Sequence, residues 1–410
     1  MSENKYDLGI IGAGPAGYTT AFSAKKAGLN VVLFEKDEVG GVCLNRGCIP
    51  TKTILHSAEA YAEALNSQTL GFITENISLD FAQVMARKNQ VVEKIRKNLE
   101  LAIKNAKIDV IKASANIIDK NTIEADGQIY NCDKVVVSTG SIPRELPNIK
   151  FDHNFVLSSD DILTLTDLPK SILIIGSGAI GLEWARIFSS FGSDVTIVEV
   201  GQNLLPIADI EVSKRIERIF KQKKIKFYTQ TSVEKLENGK AILSNGETLD
   251  VEKVLMSVGR VPVEKDKVEG VEYLGDVSGG IQLAHVAIKQ ALRCVEGLAF
   301  DETLVPSVIY GTPEIAWVGL REQDLEVGTF EKSMLLISAL GKSHCDNCTD
   351  GFIKLLTRDG LIIGAHIVSK EASALIHQVL IAIQNKIPAE KMREICFAHP
   401  TYSEGIFECL

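Results

Sequence analysis

The sequence has no apolar stretch approaching the ~18 residues that a membrane-crossing helix needs, so no membrane partner is expected. It has no charged-then-apolar leader. The polar residues Met1 to Asp7 run straight into Leu8-Gly9-Ile10-Ile11, which argues against secretion and for a cytoplasmic location. It has no excess of positive charge. A formal net charge of −9 repels phosphates, so no nucleic-acid partner is expected either. Eight cysteines in 410 residues are too few for a disulfide scaffold, and in a reducing compartment most should be free thiols. What remains is an ordinary globular composition, 45% hydrophobic and 24% charged. The length exceeds what one core usually organises and points to two or three domains.

Two of the cysteines stand apart from the rest. Cys43 and Cys48 lie in Gly40-Gly41-Val42-Cys43-Leu44-Asn45-Arg46-Gly47-Cys48-Ile49-Pro50-Thr51-Lys52. Thiols this close can close a small, strained ring, and strained disulfides are the labile, catalytic kind. A bare C-x4-C is also compatible with a structural bridge or half of a metal site. The surrounding glycines, Pro50 and Lys52 favour the redox reading, and no metal is expected. The same glycines and proline should keep this stretch out of regular helix until after Pro50.

One nucleotide-binding signature is written twice. Strand Leu8–Ile11 leads into Gly12-Ala13-Gly14-Pro15-Ala16-Gly17 and a helical run to Lys26, and strand Val31–Phe34 then ends at Glu35. The pattern returns as Ile172–Ile175, Gly176-Ser177-Gly178-Ala179-Ile180-Gly181, a helical run to Ser190, and Val195–Val198 ending at Glu199. The acid follows its first glycine at the same spacing in both copies. The first glycine makes the turn, the second admits a pyrophosphate, and the third lets helix pack on strand. The helix N-terminus attracts the phosphates, and the acid takes hydrogen bonds from a ribose. Glu199 would repel a 2′-phosphate and no arginine follows it, so NAD is favoured over NADP. A dithiol must hand on two electrons, and a flavin bridges thiolate and nicotinamide chemistry. FAD is therefore expected at the first site and NAD at the second.

These motifs resemble those of the pyridine-nucleotide disulfide oxidoreductases, from about Tyr6 to Glu404, and most closely the dihydrolipoamide-oxidising branch. Further segments carry the resemblance: Val135–Gly140, Val254–Pro262, Leu274-Gly275-Asp276 with Leu283-Ala284-His285, Val305–Glu314, and His399-Pro-Thr-Tyr-Ser-Glu404. The resemblance implies that Cys43 exchanges with substrate and Cys48 faces the flavin. It implies that Lys52 pairs with Glu183 near the flavin ring and that Asp276 binds the ribityl chain. Ala113, Thr139, Gly140, Ser141, Leu283, Ala284 and His285 would complete the FAD site. Ala179, Ile180, Val233 and Gly259 would join the NAD site. His399, oriented by Glu404, would be the base, reaching the cysteines of a second subunit in a homodimer. Histidine is also the natural choice for a base acting near neutral pH. The remaining histidines, His56, His153, His344, His366 and His377, read as structural or solvent-facing.

The implied fold is α/β, with two Rossmann-like dinucleotide-binding domains and a C-terminal α+β dimerisation domain. The FAD domain would comprise 1–147 and 263–300, the NAD domain 148–262, and the interface domain 301–410. Phe81–Lys104 reads as a long amphipathic helix whose charges face solvent. Strands Phe352–Leu356 and Leu361–Val368 should flank the turn Arg358-Asp359-Gly360, with a helix over Glu371–Asn385 packed on them. The sequence departs from the family in a short, charged join, Val263–Tyr273, which omits material that normally helps close the FAD sheet. It also carries Phe397 where relatives often have histidine. Cys345 and Cys348 form a separate C-x-x-C with no second ligand pair in view, and Cys409 is a lone terminal thiol. The expected activity is oxidation of the dihydrolipoyl group on a carrier protein of a 2-oxoacid dehydrogenase or glycine cleavage system. The alternatives are an NADH-dependent reductase of another small disulfide, or a flavin-binding scaffold with weak turnover.

Overall fold

The computed structural model describes residues 5–263 and 267–410. The first four residues, and positions 264–266 of the charged join, lie outside the described residues. Three sheets carry the fold. The first runs in the order Asp109–Ile111, Val31–Phe34, Lys5–Ile11, Gln128–Val137, Thr122–Ala125, Ala115–Asp119. Its apolar strands pair in parallel, Leu8 with Val31 and Gly9 with Val135, because helices cover them. The hairpin strands at its far end pair antiparallel. The second sheet is wholly parallel, in the order Lys226–Tyr228, Asp194–Val198, Ser171–Ile175, Lys253–Met256, Val156–Leu157. The third is a five-stranded antiparallel sheet near the C-terminus.

The repeated glycines do in the structure what their spacing suggests. Gly12 turns with φ +98° and Gly176 with φ +96°, where side chains are strained. A Cβ on Gly17 would lie 1.8 Å from the Gly12 carbonyl oxygen, and one on Gly181 would lie 2.1 Å from that of Gly176. Only glycine lets helices Pro15–Lys26 and Ala179–Phe191 sit this close to their strands.

The cysteine segment is more helical than the sequence suggests. Gly41–Arg46 is a short helix and Cys48–Leu65 a long one, so Cys43 lies inside the first and Cys48 opens the second. The break falls at Gly47 alone, whose φ of −147° and ψ of −107° re-aim the chain. Pro50 sits in the first turn of its helix, where a missing N–H breaks no helical bond, so it does not delay the start.

Helix Phe81–Asn105 is capped by Asp80, whose side chain accepts from the Gln83 N–H at 2.9 Å. Phe81 and Met85 pack against the cysteine helix and Phe191. Its charges face solvent as expected except at Arg87, which is half-buried and donates to the Thr53 carbonyl at 2.9 Å, and at Lys88, which is buried and donates to the Leu163 carbonyl at 2.7 Å.

In the C-terminal sheet, Phe352–Arg358 and Leu361–Ser369 form the expected hairpin. Asp359 and Gly360 turn it with φ of +51° and +73°, the left-handed pair that a two-residue hairpin favours. Helix Ala372–Gln384 lays Leu375, Ile376 and Val379 on that sheet. No helix among the described residues is long and apolar enough to cross a membrane.

Candidate active site

The thiols of Cys43 and Cys48 are free and half-buried. A hydrogen bond between the two thiols sets their titrations apart. Cys43 is pushed up and Cys48 is drawn down to about 7, chiefly by that hydrogen bond and with help from the Lys52 ammonium. One turn along the same helix, Lys52 Nζ donates to Glu183 Oε2 at 2.8 Å. Glu183 comes from the second glycine helix and is buried. Burial alone would lower the Lys52 pKa, but Glu183 outweighs it and the ammonium titrates above its usual range. The Tyr310 ring lies 4.9 Å from Lys52 Nζ, and the Tyr310 N–H donates to Glu183 Oε1 at 3.1 Å. A thiolate, a lysine, a carboxylate and an aromatic ring thus meet from three separate parts of the chain.

Both glycine turns present open cradles. Gly14 and Gly178 precede their helices with no side chain capping the free N–H groups. A Cβ on Gly41 would fall 2.7 Å from the Gly14 Cα, so backbone meets backbone where the cysteine loop crosses the first turn. Uncapped donors beside bare glycine backbone fit a pyrophosphate in each case. The acids also brace their turns. Glu35 accepts from the Ala13 N–H at 2.8 Å. Glu199 is 7% exposed and accepts from the Ser177 N–H and Oγ at 2.9 and 2.6 Å and from the Gly201 N–H at 2.7 Å. Any ribose at Glu199 shares that carboxylate with three protein donors.

Ser141 donates to Asp276 Oδ2 at 2.6 Å, and Arg260 holds Ser141 through its Oγ at 2.8 Å and its carbonyl at 2.7 Å. Gly140 and Gly259, at φ +78° and +101°, lead into the paired strands Ser141–Pro143 and Arg260–Pro262. Thr139 is half-buried at the end of the first sheet. Ala113 is buried beside strand Asp109–Ile111, and Val233 is buried among the apolar residues of the second unit. Ala179 and Ile180 open the second glycine helix. Leu283 and Ala284 begin helix Ala284–Glu296. His285 Nε2 instead lies 2.9 Å from the Pro306 carbonyl.

His399 Nδ1 is 2.7 Å from Glu404 Oε1, while 75% of its side chain faces solvent. The Thr401 N–H and then His399 hold the Glu404 carboxyl below its usual range. Phe397 packs on Phe407, with ring centres 5.8 Å apart. The redox pair and this histidine come from opposite ends of the chain.

Several side chains at this centre carry no motif. Tyr18, on the first glycine helix, has its phenol pushed up by burial and by both cysteines. Arg186, one turn beyond Glu183, is buried with its Nη1 on the Tyr310 and Pro313 carbonyls. Away from the redox centre, His366 takes the structural of its two expected readings. It is wholly buried with Lys354 and Asp209, where Lys354 Nζ meets Asp209 Oδ1 at 2.7 Å. Only a surplus of apolar neighbours around single polar residues hinted at these positions. Among the described residues no group of three or more His, Cys, Asp or Glu side chains is disposed to hold a metal, and Cys345 is exposed.

Comparison with known proteins agrees with this geometry. Residues 6–274 match the family model described as pyridine nucleotide-disulphide oxidoreductase, and residues 305–409 match that family's dimerisation domain. The chain is 33% identical to the dihydrolipoyl dehydrogenase of Bacillus subtilis, covering 98% of this chain and 97% of that one. It is 34% identical to the dihydrolipoyl dehydrogenase of Geobacillus stearothermophilus, covering 97% and 94%. It is 33% identical to a leghemoglobin reductase of Vigna unguiculata, covering 98% and 86%. Among solved structures, the HOCl-induced flavoprotein disulfide reductase RclA from Escherichia coli superposes with a TM-score of 0.87 at 25% identity, covering 98% and 99%. LpdA from Mycobacterium tuberculosis shares the fold with a TM-score of 0.90 at 23% identity, covering 99% and 98%. Members of this family contain FAD and use NAD(H), which the two cradles fit. The chain belongs to the pyridine nucleotide-disulphide oxidoreductases, with the family's dimerisation domain at its C-terminal end.

Proposed function

We propose that this protein oxidises the dihydrolipoyl group of a carrier protein to lipoyl, with NAD as the final acceptor. The observation that carries the reading is the Cys43–Cys48 pair set against the Lys52–Glu183 ion pair. The names of the relatives support lipoyl chemistry in particular. The carrier belongs to a 2-oxoacid dehydrogenase or glycine cleavage system in the cytoplasm. Residues 1–147 and 263–300 form the FAD domain, 148–262 the NAD domain, and 301–410 the dimer interface. Glu199 favours NAD over its 2′-phosphorylated form.

The chain's own residues run the thiol chemistry. A substrate thiolate attacks Cys43 Sγ of the oxidised pair, and the Cys43–Cys48 bond breaks with Cys48 leaving as thiolate. His399 of the partner subunit takes the proton of the second substrate thiol. That thiolate then attacks the mixed disulfide, releasing cyclic lipoyl and the Cys43 thiolate. Two electrons now reside on the cysteine pair, and Lys52 stabilises the Cys48 thiolate. FAD held at the first glycine turn would supply the two-electron link between this thiolate and a nicotinamide. Asp276, held by Ser141, would bind the ribityl chain, and the glycine turns would hold the two pyrophosphates.

RclA, a disulfide reductase by its name, motivates a second reading in which NADH reduces another small disulfide. Anaerobic addition of dihydrolipoamide to the holoprotein separates the readings. Long-wavelength thiolate–flavin absorbance followed by NADH formation with NAD supports the first. Reduction of a disulfide by NADH without dihydrolipoamide oxidation replaces it with the second. A protein that binds flavin and does neither is a scaffold.

A further inference from the structure

Arg186 is a buried cation that the disulfide chemistry does not use. It is 3% exposed and lies on helix Ala179–Phe191 one turn after Glu183. Its Nη1 donates to the carbonyls of Tyr310 at 3.0 Å and Pro313 at 2.8 Å. Its Nε and Nη2 meet no protein acceptor among the described residues. A guanidinium stripped of water with two idle nitrogens, three N–H groups in all, is a poor stabiliser, and an apolar side chain of similar volume would pack there at lower cost. The loop it holds is shaped around it. Gly311 has a φ of +138°, and a Cβ there would fall 2.2 Å from Arg186 Nη1.

That loop reaches the redox centre. Its Tyr310 N–H gives Glu183 Oε1 a donor at 3.1 Å, which leaves Oε2 for Lys52 at 2.8 Å. Its Tyr310 ring lies alongside the Lys52 ammonium. With the loop released, Glu183 loses one of its two donors and is free to rotate, and Lys52 loses its aromatic wall. Arg186 also supplies positive charge among Glu183, Glu59 and Glu314.

We propose that Arg186 is a positioning residue for the redox centre, clamping the Tyr310–Pro313 loop so that Glu183 and Lys52 stay aligned on Cys48. This rests on the reading of Cys48 as the flavin-facing thiol. Loss of the clamp and loss of the cation act in the same direction, since both leave the Cys48 thiolate less stabilised. Lys52 draws the Cys48 pKa down while Glu183 raises it, so what the clamp protects is the hold on Lys52.

The test uses the holoprotein in a Cys43→Ser background, which leaves Cys48 as the only thiol of the pair. Two readouts are followed against pH: the long-wavelength thiolate–flavin absorbance and the rate of Cys48 alkylation by iodoacetamide. Arg186→Met should raise both midpoints by about one pH unit, and Arg186→Lys by less, at unchanged flavin content. An unchanged midpoint in a flavin-replete Arg186→Met protein overturns the proposal. If Arg186→Met does not fold, Arg186→Lys decides, and an unmoved midpoint there overturns it equally. If the Cys43→Ser parent shows no long-wavelength band, the flavin-facing role of Cys48 fails. The alkylation midpoint then still decides the clamp, a shift supporting it and its absence refuting it.

Discussion

The buried histidine at the junction of the second unit and the C-terminal sheet sets a measurable acid limit on stability. His366 is wholly buried in strand Leu361–Ser369, with Nε2 3.0 Å from the Leu320 carbonyl and 3.8 Å from Asp209 Oδ2. Its Nδ1 has no partner among the described residues. Burial pulls its pKa from 6.5 to about 4. Asp209 and the Leu320 carbonyl resist that fall, and Lys354 and Arg321 add to it. The unfolded chain takes up a proton near pH 6.5, and the folded chain holds the ring neutral until about pH 4. Stability from this site is therefore complete above pH 6.5 and drains as pH falls. The loss is about 2 kcal/mol at pH 5 and about 3 kcal/mol at pH 4, taking ~1.4 kcal/mol per pH unit. His366→Gln keeps a donor for Leu320 but does not titrate. Urea unfolding of both proteins at pH 7.5 and pH 5 isolates the effect, because every other group contributes equally to the two pH differences. The variant should lose about 2 kcal/mol less than the parent between those pH values. Equal acid losses in the two proteins would refute a neutral, buried His366.

Lys354→Met leaves Asp209 charged and buried without its cation, and should lower unfolding stability by about 3–5 kcal/mol. Lys226→Ala, which breaks only the exposed pair with Asp194, should change it by less than about 0.5 kcal/mol in the same urea titration. Glu404→Gln keeps an acceptor for the Thr401 N–H but removes the charge beside His399. Steady-state dihydrolipoamide oxidation should fall by about 10- to 100-fold with a changed pH profile and an unchanged melting curve. Gly17→Ala and Gly181→Ala each drive a Cβ into the carbonyl of their own turn. The first should yield protein without flavin colour, and the second a yellow protein with weakened NADH binding by fluorescence titration. The same outcome for both would remove the assignment of FAD to the first turn and NAD to the second.

The sequence carries the parts of this site that depend on near neighbours. The two glycine turns, their strands and their acids were legible because the constraint acts within a few residues, as the 1.8 Å and 2.1 Å clashes at Gly17 and Gly181 show. The hairpin at Asp359-Gly360 was legible for the same reason. The helical state of the cysteine segment is not legible because glycine and proline read as breakers, whereas Pro50 occupies the one turn that tolerates it. Lys52–Glu183 comes from resemblance and not from pattern, since the partners meet only where the cysteine helix packs on the second glycine helix. Arg186, Tyr310 and Asp209 are legible only as single polar residues among apolar neighbours, and His366 only as a structural or solvent-facing histidine. Arg186 and Tyr310 bond to partners more than a hundred residues away, and His366 meets Asp209 across a comparable span of sequence.

The shortened join between Val263 and Tyr273 shows why a missing stretch of chain need not disturb a site. Glu272 and Tyr273 still pair in parallel with Val136 and Val137, and the Leu274 N–H reaches the Val137 carbonyl at 2.9 Å. The next residue donates its N–H to Gln290 Oε1 at 2.7 Å. Asp276 is thus delivered from a strand already fixed to the first sheet, and Ser141 and Arg260 lock it from the other side. None of these contacts depends on how the chain travels to Glu272. Closing a connection of half or twice the length differs by only about 0.6 kcal/mol in entropy, less than the worth of the hydrogen bonds at its end. The placement of Asp276 therefore rests on the strand pair and the serine–arginine clasp.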